Sequence, residues 1–365
     1  MLKHKFRMFL FLSLILLLTT QIPHGMAVQS TSTSLSSQGS ISYAPAPIPR
    51  RLIGVDFFRI VPDAAPYDQS PLQYYNLLDL IKNTGKINTI RIHVSVDGQW
   101  SYFDTAYPNA KIWTQQAFQE ARAKGIKTIL AAFAPANSAT YMADVILNVN
   151  GKGDEWITRF SQAIQECQPD AIEIMNEPPG KWENPNLTFQ AYRDFVVRAS
   201  TAYRAVKPDI SLQVMGSPYY NLNDIDGTGS WATKPLTEFS DVTYDVHLYY
   251  DRDSISVGAP FTAAYQSGNL AQAKTLLYNY ILNTVGLQSL LSKGLPVIFG
   301  EFGVEPSYPN WEAFLLDMYS FIDQYDMGSI QHALSAEPHQ YALLTSDWAH
   351  LSEMGLFWKQ YAPTP

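Results

Sequence analysis

The sequence predicts an α/β fold in which eight parallel strands alternate with helices around a closed barrel. Short runs of β-branched and other apolar residues alternate with longer amphipathic stretches over most of the chain. The short runs are apolar on both faces, which is typical of parallel strands covered by helices. Eight such runs occur, the number that closes a (β/α)8 TIM barrel. We therefore predict a single TIM barrel over residues 51–365.

The eight predicted strands are Leu52–Phe58, Asn88–Val96, Lys127–Phe133, Ala171–Asn176, Ser211–Gly216, Tyr244–Tyr249, Pro296–Gly300 and Ser329–Leu334. The predicted helices are Pro71–Thr84, Thr114–Lys124, Asp154–Cys167, Thr188–Val206, Leu270–Leu291, Asn310–Tyr325 and Leu351–Tyr361. Gly or Pro often closes a helix or opens the next strand. Residues 217–243 resemble a loop. A doubly wound open sheet is the alternative, but the turn after the first strand has no GxGxxG-like pattern.

Residues 1–27 are predicted to form a signal peptide. Basic residues at positions 3, 5 and 7 precede an apolar run, Met8 to Leu18, and small residues occupy positions 25 and 27. The run is shorter than the roughly 18–20 residues that a membrane span requires, so we expect no stable span. The expected location is extracellular, with attachment to a surface if the segment is retained.

Residues 28–50 are rich in Ser, Thr, Gln and Pro and have no periodic apolar pattern. Such a composition cannot bury enough surface to offset the entropy cost of ordering, so this segment is interpreted as a disordered linker. The predicted catalytic domain then occupies residues 51–365.

The chain is acidic, with 25 Lys and Arg against 33 Asp and Glu. Removal of residues 1–27 takes away three basic residues, which leaves a net charge of about −11. A nucleic-acid partner is therefore not expected, and a neutral substrate fits better. Cys167 is the single cysteine, which excludes an intrachain disulfide; we expect it to be buried in a helix without a catalytic role.

Two glutamates follow the ends of predicted strands, where barrel enzymes carry their catalytic residues. Glu177 lies in the run IEIMNEP at the end of the fourth strand, and Glu301 lies in VIFGEFG at the seventh. Glycosidic cleavage requires such a pair: one carboxyl protonates the departing oxygen, and the other, ionised, attacks the anomeric carbon. Either glutamate alone would be interpreted as a salt-bridged residue at the barrel rim. The pair at matched strand ends favours catalysis.

The motifs around these residues resemble those of the cellulase-like glycoside hydrolase family 5, a divergent match within the retaining barrel clan. IEIMNEP is similar to its acid/base motif and PVIFGEFG to its nucleophile motif. YDVHLY at 244–249 and TIRI at 89–92 resemble its sixth-strand and second-strand motifs, in the same order. The resemblance implies Glu177 as acid/base, Glu301 as nucleophile and a covalent glycosyl-enzyme. It also implies carboxyl groups about 5–5.5 Å apart, against about 6.5–9.5 Å in inverting enzymes.

The resemblance implies roles at four further positions. Arg91 would keep the nucleophile ionised, because a neighbouring cation lowers the pKa of a carboxyl, and it could also form a buried ion pair with Glu173. Asn176 would donate to the sugar 2-hydroxyl. Tyr249 would hydrogen-bond the nucleophile. His247 would line the cleft near the acid/base, although a lone histidine on a strand is otherwise typical of a core.

Two positions depart from the family pattern. The third strand, LAAFAP, lacks a histidine, and the eighth, SIQHALS, lacks the tryptophan that stacks under the sugar. Trp348 or His332 are candidates to replace that platform. Tryptophans and tyrosines in predicted loops suggest further sugar contacts, because flat aromatic rings bury the apolar faces of pyranoses at low entropic cost. They are Trp100, Trp182, Trp231, Trp348, Tyr219 and Tyr220.

Other reaction classes find little support. Five histidines remain after residue 27 without HxH or HExxH spacing, and GxSxG is absent, so we expect no metal, no cofactor and no serine nucleophile. We expect a monomeric glycosidase acting on a β-linked polysaccharide or oligosaccharide, with β-glucan or β-mannan as first expectations. A non-catalytic carbohydrate-binding barrel and a transglycosylase with the same carboxylates remain alternatives.

Overall fold

The computed structural model describes residues 51–57, 71–97, 102–103, 105, 108–134, 138–181, 183–216, 222–223, 227–250, 259–333, 341–345 and 350–365. The predicted signal peptide and linker lie outside these ranges. Eight parallel strands pair in sequence order, and the last pairs with the first to close the barrel. The predicted single TIM barrel is therefore confirmed. The strands are β1 (Ile53–Phe57), β2 (Thr89–Ser95), β3 (Lys127–Phe133), β4 (Ala171–Glu173), β5 (Ser211–Met215), β6 (Val242–Tyr249), β7 (Val297–Gly303) and β8 (Gly328–Gln331).

The helices are α1 (Pro71–Lys82), α2 (Pro108–Ala123), α3 (Ser138–Ile146), α4 (Lys152–Cys167), α5 (Phe189–Val206), α6 (Pro260–Gln266), α7 (Leu270–Asn279), α8 (Leu287–Leu291), α9 (Trp311–Gln324) and α10 (Glu353–Tyr361). The short helices α3 and α6 were not expected from the sequence. The single helix expected over 270–291 is interrupted by a π-helical turn, Tyr280–Thr284. Gly286 then adopts a φ of +95°, in the left-handed region that glycine favours, and separates this turn from α8.

The barrel has two apolar regions. A large core fills the space between the strands and the surrounding helices. A small cluster comes from residues near the beginnings of strands, which alternate with the residues that face the helices and so lie inside the barrel. Its members are Leu52, Ile129, Ala171, Ile298 and Ile330. The interior is therefore apolar near the strand beginnings, which leaves its opposite end for polar groups.

Cys167 is buried at the end of α4, as expected, and burial raises the pKa of its thiol to about 12. The thiol is therefore neutral near pH 7, which fits a packing residue rather than a nucleophile. Within the described residues, none of the helices combines the length and the apolar character that crossing a membrane demands.

Candidate active site

Glu177 follows the short strand β4, which ends three residues earlier than the sequence suggested. After Glu173 the chain bonds alternately to both neighbouring strands: the amide of Asn176 donates to the Ala132 carbonyl of β3 at 2.8 Å. Glu177 then adopts a φ of +47°, an uncommon conformation for a non-glycine residue that is found at functional sites. Its amide donates to Sδ of Met215 at 2.9 Å. The Glu177 side chain remains 39% exposed at the C-terminal end of the barrel.

Glu301 lies at the end of β7 and is almost completely buried. Its Oε1 accepts from Arg91 Nη1 at 2.7 Å, and its Oε2 accepts from the Tyr249 hydroxyl at 2.5 Å. Burial alone would raise the pKa of Glu301, but the charges of His247 and Arg91 outweigh it and lower the pKa to about 2. Glu301 is therefore held as an ionised carboxylate at neutral pH.

Arg91, on β2, connects the acidic groups inside the barrel. Its fully buried guanidinium donates to Glu173 Oε2 at 2.8 Å and Asp56 Oδ1 at 3.0 Å, besides Glu301. The ion pair with Glu173 and the contact with the candidate nucleophile thus occur together. Arg91 Nη2 also donates to Asn176 Oδ1 at 2.8 Å, which leaves the Asn176 amide nitrogen as the donor available for a ligand.

His247 lies between the two glutamates. Its Nδ1 is 3.1 Å from Glu177 Oε1 and 3.5 Å from Glu301 Oε2. Burial would lower the pKa of His247, but the neighbouring carboxylates, Glu301 first, raise it to about 9. A positive imidazolium therefore separates the two carboxyl groups. One oxygen from each glutamate lies within 4.8 Å of the other.

Three polar residues of this site were not expected there from the sequence: Asp56 and His93 had been given no role, and His332 had been considered only as an aromatic platform. Asp56 on β1 pairs with Arg91, its partner in strand register, and accepts from His332 Nδ1 at 2.8 Å. His93 contacts Arg91 and lies 3.5 Å from Glu301 Oε1. The spacing of two residues between Arg91 and His93 on one strand, which puts both side chains on the same face, was the sequence signal for His93.

His332 does not form an open aromatic platform at strand eight. It is 2% exposed, and its ring packs edge-on against Tyr249 and Tyr341, with centroid separations of 5.7 and 5.4 Å. A pyranose ring needs an accessible aromatic face to stack on. The expectation that His332 replaces the family's tryptophan platform is therefore wrong for this conformation.

Trp231 was expected to contact sugar, and this expectation is wrong. The indole is completely buried between α5 and β6, where it packs against Phe189, Tyr192 and Tyr244. It has no exposed face that a sugar could reach. The position of Trp231 after a strand does not indicate whether its ring faces the cleft or the core between strands and helices, and the structure places it in that core. The other expected platforms lie outside the described residues: Trp100, Trp182, Trp348, Tyr219 and Tyr220.

Among the described residues, several groups of acidic and histidine side chains resemble metal sites in composition. In one group, Asp56, His93 and Glu301 approach one another within 4.8 Å. Arg91 Nη1 contacts all three. The guanidinium therefore already supplies the positive charge that a metal ion would bring to this group.

Comparison with known proteins identifies a family. The family model described as cellulase, glycosyl hydrolase family 5, matches residues 66–338. A cellotetraose complex of an endocellulase from Pyrococcus horikoshii shares 14% identity over 83% of this chain and 90% of its own, with a TM-score of 0.59. An endoglucanase from Thermotoga maritima shares 11% identity over 85% and 96%, with a TM-score of 0.61. No curated protein matched the sequence.

At these identities the solved structures bear on the fold alone, and the two endo-acting enzymes share the barrel with this chain. The family model covers about three quarters of the chain, from before α1 to beyond β8. The matched region contains both glutamates together with Arg91, Asn176 and His247. The chain therefore belongs to glycosyl hydrolase family 5 and is a glycosidase.

Proposed function

We propose that the protein is a retaining β-glucan hydrolase that cleaves by double displacement, with Glu301 as nucleophile and Glu177 as acid/base. One observation carries the proposal: the two glutamates differ in environment. Glu301 is buried and held ionised by Arg91 and Tyr249, whereas Glu177 is 39% exposed at the barrel mouth. A buried anion suits attack on carbon, and an accessible carboxyl suits proton exchange with a leaving group and water.

In the first step, a Glu301 oxygen forms a bond to the anomeric carbon, and the bond to the departing sugar oxygen breaks. Protonated Glu177 supplies the proton that this oxygen takes up. In the second step, Glu177 accepts a proton from water, and the water oxygen displaces Glu301. Asn176 is suited to hold the 2-hydroxyl of the reacting sugar, because Arg91 binds its carbonyl oxygen and leaves its amide nitrogen as a donor.

The separation of the two carboxyl groups supports retention of configuration. Oxygens of Glu177 and Glu301 approach within 4.8 Å. Retaining enzymes place their carboxyl groups about 5–5.5 Å apart, whereas inverting enzymes leave about 6.5–9.5 Å for a water molecule. Product analysis by proton NMR tests this directly: a β-anomer as the first reducing product supports double displacement, and an α-anomer overturns it.

The substrate class rests on the similar proteins. The complex from Pyrococcus horikoshii contains cellotetraose, a β-linked glucan fragment, and other similar structures are endoglucanases. The acidic chain also suits a neutral polymer. We therefore propose β-glucan as substrate and treat β-mannan as the first competitor.

The decisive experiment incubates the purified domain with β-glucans, mannans and xylans and measures released reducing ends. Activity on β-glucan should be present in the wild type and in Glu312→Gln, an exposed glutamate of α9, and absent in Glu301→Ala. Activity on mannan alone would overturn the substrate, and activity surviving in Glu301→Ala would overturn the nucleophile. Glycan binding without turnover in the wild type would favour a non-catalytic barrel, and lengthened products would favour a transglycosylase.

The proposal includes secretion, because the expected signal segment ends at residue 27. Expression of the full chain in a secreting host, followed by N-terminal sequencing, should give a protein that begins at residue 28. Full-length protein retained with the membrane fraction would instead support tethering.

A further inference from the structure

Asp245 lies inside the barrel beneath the two glutamates and touches the backbone of β7. Its Oδ1 accepts from the amide of Gly300, the residue before Glu301, at 2.7 Å. A Cβ at position 300 would lie 2.1 Å from the Asp245 carboxyl, so glycine is required for this approach. The pairing of β6 with β7 shifts register between Val246 and His247, beside this contact. Asp245 therefore fixes the strand segment that carries the nucleophile.

The second oxygen of Asp245 lies in a buried region that also contains the carboxyl group of Glu173. Asp245 Oδ2 and Glu173 Oε1 are fully buried, and neither has a hydrogen-bond partner among the described residues. Glu173 uses its other oxygen to accept from Arg91. The carboxyl groups of Asp245 and Glu173 lie within 4.8 Å of each other. Two ionised carboxylates would repel at this distance, whereas one proton would provide a donor and satisfy both oxygens.

The charges around Asp245 also favour a proton there. The cations that face it are Arg91 from β2 and His247 from its own strand. The carboxylates in the same interior are Asp56 from β1, Glu173 from β4 and Glu301 from β7, with Glu177 at the mouth. The buried anions thus already outnumber these two cations. Burial, and then the charge of Glu173, raise the pKa of Asp245 well above its usual value.

We propose that Asp245 is a buried neutral carboxylic acid that positions the nucleophile Glu301 from two sides. Its carbonyl oxygen holds the Gly300 amide, and its hydroxyl donates to Glu173 Oε1. Glu173 in turn orients Arg91, which donates to Glu301. Asp245 is a positioning residue, since it acts through Gly300 and Arg91. The role as nucleophile positioner rests on the proposed hydrolase function; the protonation state of Asp245 does not.

Two substitutions separate this proposal from an ionised Asp245. Asparagine at 245 keeps a carbonyl to accept from Gly300 and supplies an amide donor for Glu173, whereas alanine removes both. We expect kcat of Asp245→Asn to remain within about tenfold of wild type, and kcat of Asp245→Ala to fall about 100-fold with little change in KM. Equal loss in both variants would overturn the neutral acid, and full activity in both would overturn positioning.

Asp170→Ala is the matched control for Asp245→Ala, because it also removes a carboxylate that accepts a strand amide. Asp170 precedes β4 at the opposite end of the barrel and also accepts a backbone amide, that of Thr128, at 2.9 Å. We expect this change to lower stability without changing kcat. A kcat loss there equal to that of Asp245→Ala would mean that any lost strand-end contact inactivates the barrel, and would overturn specific positioning.

An infrared measurement decides the protonation state without any need for activity or for a variant that folds. At neutral pH, wild-type protein should show the carbonyl stretch of a buried protonated carboxyl, and 13C labelling of aspartate should shift that band. Where Asp245→Asn folds, the band should disappear. A spectrum with carboxylate bands only would overturn the proposal. If the wild type hydrolyses no glycan but shows the band, the proposed function fails while the neutral Asp245 stands.

Discussion

The indole Nε1 of Trp231 donates a hydrogen bond of 2.7 Å to the carbonyl oxygen of Met215. Met215 is the last residue of β5, and its sulfur accepts the backbone amide of Glu177. A buried tryptophan of the outer core therefore supports Glu177, the proposed acid/base residue, through one intermediate residue, Met215. Glu177 needs such support because its left-handed backbone conformation is intrinsically unfavourable.

Replacement of Met215 by leucine should test this support. The swap nearly conserves volume but removes the acceptor of the partly buried Glu177 amide, and a typical hydrogen bond contributes about 0.5–1.5 kcal/mol. We expect Met215→Leu to be about 1 kcal/mol less stable than Met318→Leu, a buried control in α9, in denaturant unfolding. The kcat should fall only for Met215→Leu; equal values for the two variants would show that the sulfur contact is unimportant.

Stability should decline in alkaline solution because of His247. Its pKa is raised from 6.5 to about 9 in the folded protein, so its contribution is complete below pH 6.5 and is lost as the pH rises through 9. For this fully buried group the contribution is of the order of 3 kcal/mol. Denaturant unfolding at pH 6 and pH 9.5 measures the loss. In His247→Gln the part of the decline due to His247 should be absent; an unchanged decline would assign it elsewhere.

Removal of the Tyr249 hydroxyl should make the carboxylate of Glu301, the proposed nucleophile, easier to protonate. Tyr249→Phe loses the hydrogen bond to Glu301 Oε2, which should raise the pKa of Glu301 from about 2. The acid limb of the kcat/KM profile should then move to higher pH, with kcat about 10- to 100-fold lower. Tyr250→Phe, whose hydroxyl contacts Pro309 instead, is the control and should keep the wild-type profile.

The stabilising contribution of Glu301 depends on pH in the opposite direction to that of His247: it is lost as the pH falls rather than as it rises. Its folded pKa of about 2 lies below the usual 4.5, so the contribution is complete above pH 4.5 and is lost as the pH falls through 2. Glu301→Gln should therefore show a shallower loss of unfolding free energy between pH 5 and pH 2 than the wild type. Parallel curves would indicate that Glu301 is not the depressed carboxylate.

Gly300→Ala should disrupt the barrel because the added Cβ meets the Asp245 carboxyl at 2.1 Å. Gly328→Ala, on β8, is the milder control, since its nearest contact is the Ile298 side chain at 2.9 Å. Thermal unfolding should rank Gly300→Ala as the less stable variant. In an Asp245→Ala background the cost of Gly300→Ala should shrink, because the obstructing carboxyl is gone. Additive costs would contradict the steric explanation.

The sequence predicted which segments form strands more accurately than the residues at which those strands begin and end. The bounds of β3 agree with the prediction residue for residue, because a continuous apolar run fills residues 129–133 and Gly125 follows the preceding helix. β4 is shorter because the chain turns at Asn176 and Glu177, and β7 is longer because GEFG remains paired to its neighbours. The pattern of apolar residues does not indicate the residue at which a strand stops pairing with its neighbours. That depends on contacts with strands distant in sequence.

The site was predictable where a motif marked it. Glu177 and Glu301 follow strand-end patterns, and the structure brings them together. Asp56 was missed because a single polar residue in an apolar strand gives no sign of its partner. His93 was missed although its two-residue spacing from Arg91 puts both side chains on one face of β2. Trp231 was misassigned for the reverse reason: an aromatic residue after a strand can face the cleft or the helices, and composition alone does not distinguish the two.

Arg91 has five side-chain partners, so the barrel could stay folded even if one of them, and the chemistry it carries, were lost. A descendant that lost Glu301 would still have Arg91 held by Asp56, Glu173 and Asn176. The buried positive charge would not be left unpaired, which is the costly outcome in a barrel interior. A single substitution of Glu301, the proposed nucleophile, could therefore abolish catalysis while the barrel stays folded, which gives this barrel a short evolutionary route from enzyme to binding protein.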